Sequence, residues 1–199
     1  MTQEAGATAK SPPMLKFSHI GLVATDVDMM ARFYVDVLGF AITDQGDFGD
    51  LKVVFMSRDP EDHHQIVLTN GRPVHLPRNT INPKFGPVIQ QISFKMPSLA
   101  DLRDMKNRLE ASSATEITAA THGNAWSVYA HDPEGNYIEF FVDTDWYADQ
   151  PFYVPLDLNK SDEEIIRETE EMCRSSPGFK SIRQWRVDIA KVMPPPFPE

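Results

Sequence analysis

The stretch His122–Phe141, HGNAWSVYAHDPEGNYIEFF, holds two strand-like runs joined by a turn. Asp132-Pro133-Glu134-Gly135-Asn136 is the turn: proline presets one turn dihedral, and glycine and asparagine tolerate positive φ. In the run that follows, side chains alternate in facing. Ile138, Phe140 and Val142 then share one face, and Tyr137, Glu139 and Phe141 the other. Burying a lone carboxylate costs on the order of several kcal/mol unless a cation or hydrogen-bond donor compensates it. Glu139 therefore calls for a partner.

The same order of elements occurs earlier in the chain. The segment from Leu15 to Ala24 reads as a strand, and Thr25 or Asp26 caps a helix with Val27, Met30, Ala31, Tyr34 and Leu38 on one face. Gly39 supplies the stop. Strand-like runs follow at FAIT, LKVVFMS and HQIVLT, the last behind Asp59-Pro60-Glu61-Asp62. Downstream, VIQQISFKM, a helix capped by Ser98 with Asp101 and carrying Leu99, Leu102 and Leu109, then TEIT, AWSVYAH and NYIEFF repeat the pattern. His19 and Gln91 lie 72 residues apart, as do Val27 and Leu99, Met30 and Leu102, and Val67 and Glu139. One βαβββ module leaves a sheet face open, so two are expected to pack together. The expected fold is α+β, two tandem βαβββ modules forming a cupped mixed sheet. Module 1 spans 15–70 and module 2 spans 88–143, joined by a loop at 71–87. A polar tail, expected to be mobile, covers 1–14, and a C-terminal extension with one or two helices covers 144–199. The extension begins its helix with a capping box, Ser161 and Glu164, and sets Ile165, Ile166, Thr169, Met172 and Cys173 on one stripe.

Composition limits the partners. A net charge of −10 and a pI near 5.0 argue against nucleic acid and anionic membrane surfaces. The single cysteine, Cys173, excludes an internal disulfide framework and fits the cytoplasm. No apolar run reaches the roughly 20 residues needed to span a bilayer.

Strand alternation sorts the inner face of the cup. It collects Phe17 and His19 from the first strand, Gln91 and Ser93 from its repeat, Ser127, Tyr129 and His131 from AWSVYAH, and Tyr137, Glu139 and Phe141 from the last strand. An imidazole and a carboxylate in a concave, partly apolar site are what a divalent metal needs. The alternative is a metal-free hydrogen bond or ion pair between His19 and Glu139. His63, His64 and His75 form a second histidine group after a turn and in a Pro-rich loop, expected to be solvated or to line a lid, with one of them the replacement ligand if Gln91 does not serve.

The two modules, FSHIGL in the first strand and DPEGNYIEFF in the last, resemble the glyoxalase / bleomycin-resistance / extradiol-dioxygenase superfamily, the vicinal oxygen chelate fold. The spacing of His122, Val128-Tyr129, Asp132-Pro133-Glu134-Gly135 and Glu139 resembles the type I extradiol ring-cleavage dioxygenases, with Ala120 outside the usual pattern. That resemblance implies His19 and Glu139 as metal ligands, His122 as an acid/base or substrate-binding group, and Tyr129 as a hydrogen-bond partner of a bound catecholate. It implies Fe(II), with Mn(II), Ni(II) or Zn(II) as alternatives, and a small aromatic substrate beside O2. Gln91 stands where such dioxygenases carry a second histidine, although the glyoxalase branch uses a Gln ligand at the equivalent inward position. The implied metal set is His19, Gln91 and Glu139. Phe17, Phe55, Ser127, Tyr137 and Phe141 would line the substrate pocket. Two other functions fit the same cup: a metal-dependent isomerase, epimerase or lyase, and a non-catalytic binding protein of the bleomycin-resistance type. A homodimer is expected, with Trp146, Tyr147, Phe152, Tyr153 and Trp185 as interface aromatics.

Overall fold

In the computed structural model, the described residues are 17–75, 89 and 91–191. The expected tail at 1–14, most of the loop at 71–87 and the final proline-rich segment lie outside them. Module 1 comprises β1 (Ile20–Ala24), α1 (Val27–Asp36), β2 (Ala41–Phe48), β3 (Leu51–Ser57) and β4 (Ile66–Asn70). Module 2 repeats this order with β5 (Ile92–Lys95), α2 (Leu99–Glu110), β6 (Thr115–Thr121), β7 (Ala125–His131) and β8 (Tyr137–Asp143). The first strand of each module is shorter than the sequence suggests. Strand β1 begins at Ile20, so Phe17 and His19 precede it.

Local chemistry explains the helices. Asp26 accepts the Met29 amide at 2.8 Å at the start of α1, and Ser98 accepts the Asp101 amide at 3.2 Å at the start of α2. Gly39, at φ +72°, ends the α1 segment in a conformation that other residues rarely adopt. The expected apolar faces are buried: Val27, Met30, Ala31, Tyr34 and Leu38 around α1, and Leu99, Leu102 and Leu109 on α2.

The strands of the modules form two cupped mixed sheets rather than one continuous sheet, in the orders β1-β4-β3-β2 and β6-β7-β8-β5, the second extended beside β6 by a short strand from the C-terminal extension. Within each module the first and last strands pair in parallel, β1 with β4 and β5 with β8. The helix-facing sides share one core. Phe94 bridges them, packing edge-on to Phe40 at 5.9 Å and stacked on Phe140 at 5.4 Å.

A buried clasp joins the modules. The Asp132–Asn136 turn folds around Asp132, which accepts the amides of Glu134 and Asn136 at 3.0 and 2.8 Å. This directs Glu134, wholly buried, onto the start of α1. One carboxylate oxygen accepts the Thr25 amide at 2.8 Å, the Asp26 amide at 3.2 Å and the Thr25 hydroxyl. Arg72 Nε lies 3.6 Å from the other, and Arg72 donates to the Glu134 carbonyl at 3.0 Å. Tyr34 adds a 3.3 Å bond to Asp132 from the side of α1. The corresponding turn residue in module 1, Glu61, is exposed.

The C-terminal extension packs on module 2. Strand β9 (Trp146–Tyr147) pairs with β11 (Lys180–Ser181), and β10 (Val154–Pro155) adds an edge strand beside β6. Helices α3 (Asp162–Arg174) and α4 (Ile182–Ala190) complete it. The α3 capping box forms as its sequence dictates. Ile165, Thr169 and Cys173 are buried, but Ile166, expected on the same stripe, is exposed. Most of the expected interface aromatics are engaged inside the chain: Tyr147 stacks on Trp185 at 5.4 Å and Trp146 packs against the core. No helix among the described residues is long and apolar enough to cross a membrane.

Candidate functional site

The inner face of module 2 builds a polar chain in an apolar wall. Antiparallel register sets Ser127 opposite Phe141, Tyr129 opposite Glu139 and His131 opposite Tyr137. Parallel pairing with β5 sets Ser93 beside Glu139. Glu139 is only 7% exposed. Its Oε2 accepts a 2.9 Å bond from the Gln91 amide and a 2.5 Å bond from the Ser93 hydroxyl. The first answer to what compensates Glu139 is therefore a pair of neutral donors. Among the described residues no lysine, arginine or histidine pairs with it within 4.0 Å. Neutral donors offset only part of the desolvation cost of a buried anion.

Tyr129 links this carboxylate to His122. Burial first, then a hydrogen bond to Glu139 and its charge, push the Tyr129 phenol well above the usual tyrosine range. His122 Nε2 lies 2.6 Å from the Tyr129 hydroxyl, and its Nδ1 lies 2.8 Å from the Phe152 carbonyl. A carbonyl only accepts, so Nδ1 carries a proton. A neutral His122 then accepts at Nε2 from the Tyr129 hydroxyl. Tyr129 thus stands between His122, which it bonds, and Glu139, which it faces across the β7–β8 pair.

The loop that carries His122 is held by the extension. Gly123 adopts φ +73°, and a Cβ there would lie 2.9 Å from the buried sulfur of Cys173 on α3. Gln150 donates to the His122 carbonyl at 2.8 Å, and Tyr153 packs on the imidazole at 5.6 Å. Tyr137 stacks on Tyr129 at 5.2 Å and forms the floor beside it. The Ser127 hydroxyl, fully buried on the same face, has no hydrogen-bond partner within 3.5 Å.

The chain therefore brings together Gln91, Glu139, Tyr129, His122, Ser127 and Tyr137, with Phe141 half-buried beside them. His19 stands apart on module 1. Its Nδ1 faces the Ser18 hydroxyl at 3.2 Å, and its ring lies 4.3 Å from that of His64. His63 and His64 bring their Nδ1 atoms to 2.9 Å, and Phe55 packs against both rings at 5.7 and 5.1 Å. His64 is half-buried, whereas His63 and His75 are exposed. Phe17 is 80% exposed. Among the described residues no three His, Cys, Asp or Glu donors converge as a metal site. Two partners escaped the sequence: Ser93 was placed on the inner face without a role, and His64 was not paired with His19. Inner-face alternation combined with the parallel pairing of first and last strands would have found both.

The oxygen half of the implied set fits a hard divalent ion. The 2.9 Å contact between its two members is a hydrogen bond from Gln91 Nε2 to Glu139 Oε2, so Gln91 would ligate only with its amide turned to present the carbonyl oxygen; the Ser127 hydroxyl lies on the same sheet face.

Residues 16–140 match the family model described as the Glyoxalase/Bleomycin resistance protein/Dioxygenase superfamily. Two curated relatives from Rhodococcus globerulus, biphenyl-2,3-diol 1,2-dioxygenases 3 and 2, are 27% and 26% identical over 128 residues. Each match covers 64% of this chain and 63% of the relative, less than two thirds of its length. Among solved structures, a glyoxylase/bleomycin resistance protein/dioxygenase domain from Frankia sp. EAN1pec matches with a TM-score of 0.55 at 20% identity, over 66% of this chain and 100% of that one. The fosfomycin resistance protein FosX from Listeria monocytogenes, in complex with Mn(II) and sulfate, matches with a TM-score of 0.50 at 18% identity, over 66% and 95%. At these identities the structures show a shared fold.

Proposed function

Because this chain belongs to the glyoxalase/bleomycin resistance protein/dioxygenase superfamily, we propose that it is a metal-dependent extradiol-type dioxygenase. Its substrate class would be a catechol or a two-ring diol of the 2,3-dihydroxybiphenyl kind, as the names of its curated relatives suggest. The observation that carries this is Glu139: a buried carboxylate held by neutral donors alone, facing the hydrogen-bonded Tyr129–His122 pair. A bound divalent cation would supply the charge compensation that Gln91 and Ser93 do not. We assign that ion to His19, Gln91 and Glu139, with Fe(II) the fit for ring cleavage and Mn(II), Ni(II) or Zn(II) the alternatives. When bound, Fe(II) would let charge pass from the ring-bound oxygens to O2.

The remaining work falls to side chains of this chain. His122 Nε2 takes the Tyr129 proton as a diol hydroxyl gives its own to the Tyr129 oxygen, and the Phe152 carbonyl steadies the resulting imidazolium at Nδ1. The Tyr129 hydroxyl, held between His122 and Glu139, hydrogen-bonds a substrate oxygen. Tyr137 and Phe141 present flat apolar surface to a ring. Ser127 offers its unpartnered hydroxyl as a polar contact.

His19 reaches this site if a second copy supplies it. The face of module 1 that carries Phe17, His19, Gly21 and Val23 is open, with Phe17 80% and Val23 53% exposed. In a homodimer, this face of one copy covers the Gln91–Glu139 face of the other. The imidazole then completes the oxygen ligands.

The test is anaerobic loading with Fe(II), then exposure to O2 with catechol and with 2,3-dihydroxybiphenyl. Ring cleavage consumes one O2 per diol and leaves both oxygen atoms in the opened product. O2 uptake that matches diol loss, and that Glu139→Ala abolishes, supports the proposal. A diol that binds but consumes no O2 with any of the four metals would overturn it. Gln91, a harder and weaker donor than imidazole, favours a second function on the same site: a metal-dependent isomerase, epimerase or lyase. There Glu139 or His122 would move a substrate proton and no O2 would be used.

A further inference from the structure

We propose that His64 and His63, on the turn entering β4, join His19 as imidazole ligands of a divalent transition-metal ion. No motif of the superfamily resemblance uses these two residues, and they lie on the opposite module from Gln91 and Glu139. The His64 ring is in contact with those of both His19 and His63. An imidazole bound at about 2.1 Å places its ring centre roughly 3.2 Å from the metal, so two neighbouring rings on one ion stand about 4.5–5.2 Å apart. The His19–His64 and His63–His64 ring centres are 4.3 and 5.2 Å apart. Neighbouring ligand nitrogens at about 2.1 Å from one ion lie about 3.0–3.4 Å from each other. The His63 and His64 Nδ1 atoms are 2.9 Å apart.

The three rings do not yet point at one spot, since the Nδ1 of His19 faces Ser18. His19 and His63 are exposed, and exposed side chains change rotamer within nanoseconds. Phe55 packs edge-on against the His63 and His64 rings. Imidazole donors suit Zn(II), Ni(II), Co(II) and Fe(II). This histidine clasp would supply the imidazole character that the Gln91 position lacks. The ordinary alternative is a plain hydrogen bond between two neutral imidazoles at His63 and His64, which binds nothing.

This proposal rests on the proposed metal function only through His19, and its test separates the two. Metal-free protein is titrated with Co(II) and Zn(II) by calorimetry, and the Co(II) visible spectrum reports the ligand set. The proteins are wild type, His64→Ala, His63→Ala, Glu139→Ala and Gln91→Ala, with circular dichroism to confirm folding. The expected result is affinity at least about tenfold weaker and a changed Co(II) spectrum in His64→Ala and His63→Ala, with residual binding in Glu139→Ala. Binding and spectrum unchanged in both histidine variants but lost in Glu139→Ala would overturn the clasp and leave the proposed function standing. Full binding in Glu139→Ala and Gln91→Ala, lost in His64→Ala, would keep the clasp and remove the assigned oxygen ligands. Absence of binding to wild type would overturn both.

Discussion

Replacing Glu134 with alanine should cost about 3–5 kcal/mol of folding stability, the range for stranding one side of a buried, charged hydrogen-bond network. The carboxylate accepts the Thr25 and Asp26 amides and the Thr25 hydroxyl, and it faces Arg72 Nε at 3.6 Å. A hydrogen bond to a charged group is worth about 1.5–3 kcal/mol. Loss of two or three would exceed the estimate, but the variant no longer buries a carboxylate, which offsets part of the loss. Urea unfolding followed by fluorescence gives the difference directly. The repeat provides an internal control: Glu61 occupies the matching turn of module 1, is exposed, and should change stability by no more than about 0.5 kcal/mol when replaced by alanine. If Glu134→Ala loses under about 1 kcal/mol, or no more than Glu61→Ala, the turn of module 2 does not fasten the two modules.

Other perturbations probe the site. Gly123→Ala forces φ +73° on a residue with a Cβ and drives that carbon to 2.9 Å from Cys173 Sγ, so a loss of about 1–3 kcal/mol is expected. Adding Cys173→Ala should recover the steric part, and a calorimetric melt that shows no recovery would assign the loss to backbone strain alone. Tyr129→Phe keeps the stack on Tyr137 but removes the hydroxyl that bonds His122. Ring-cleavage kcat should fall about 100-fold or more, with metal content unchanged; an unaltered kcat would remove Tyr129 from the chemistry. Burial, then the neighbouring His19 and His63, hold His64 below the ordinary histidine pKa of 6.5. The fold therefore favours neutral His64: its contribution is fully present above pH 6.5 and is lost as the pH falls from there through the lowered value. An NMR titration should place its midpoint below 6.5, and His19→Asn should raise it; a midpoint at or above 6.5 contradicts this environment.

What the sequence revealed divides along local and non-local lines. The caps at Asp26, Ser98 and Ser161 and the apolar faces of α1 and α2 depend on neighbours a few residues away, and the structure places them as read. The inward facing of Tyr129 and Glu139 follows from alternation within single strands. The partners of Glu139 do not: Ser93 meets it only because β5 pairs in parallel with β8. His64 meets His19 only because the chain turns into β4 beside the start of β1. Glu134 looked like one residue of a turn, since nothing local says that the turn will dock on a helix 108 residues earlier. Ile166 failed for a geometric reason. Helix α3 seats only the narrow ridge of Ile165, Thr169 and Cys173 on the core, which leaves its neighbour in solvent.

The most direct test of the metal assignment is elemental analysis of protein purified without oxygen, beside His19→Ala and Glu139→Ala. One iron per chain in the wild type, sharply reduced in both variants, is the result expected if an ion compensates Glu139. Protein that carries no metal even after loading with Fe(II), yet keeps Glu139 buried on Gln91 and Ser93, would contradict it.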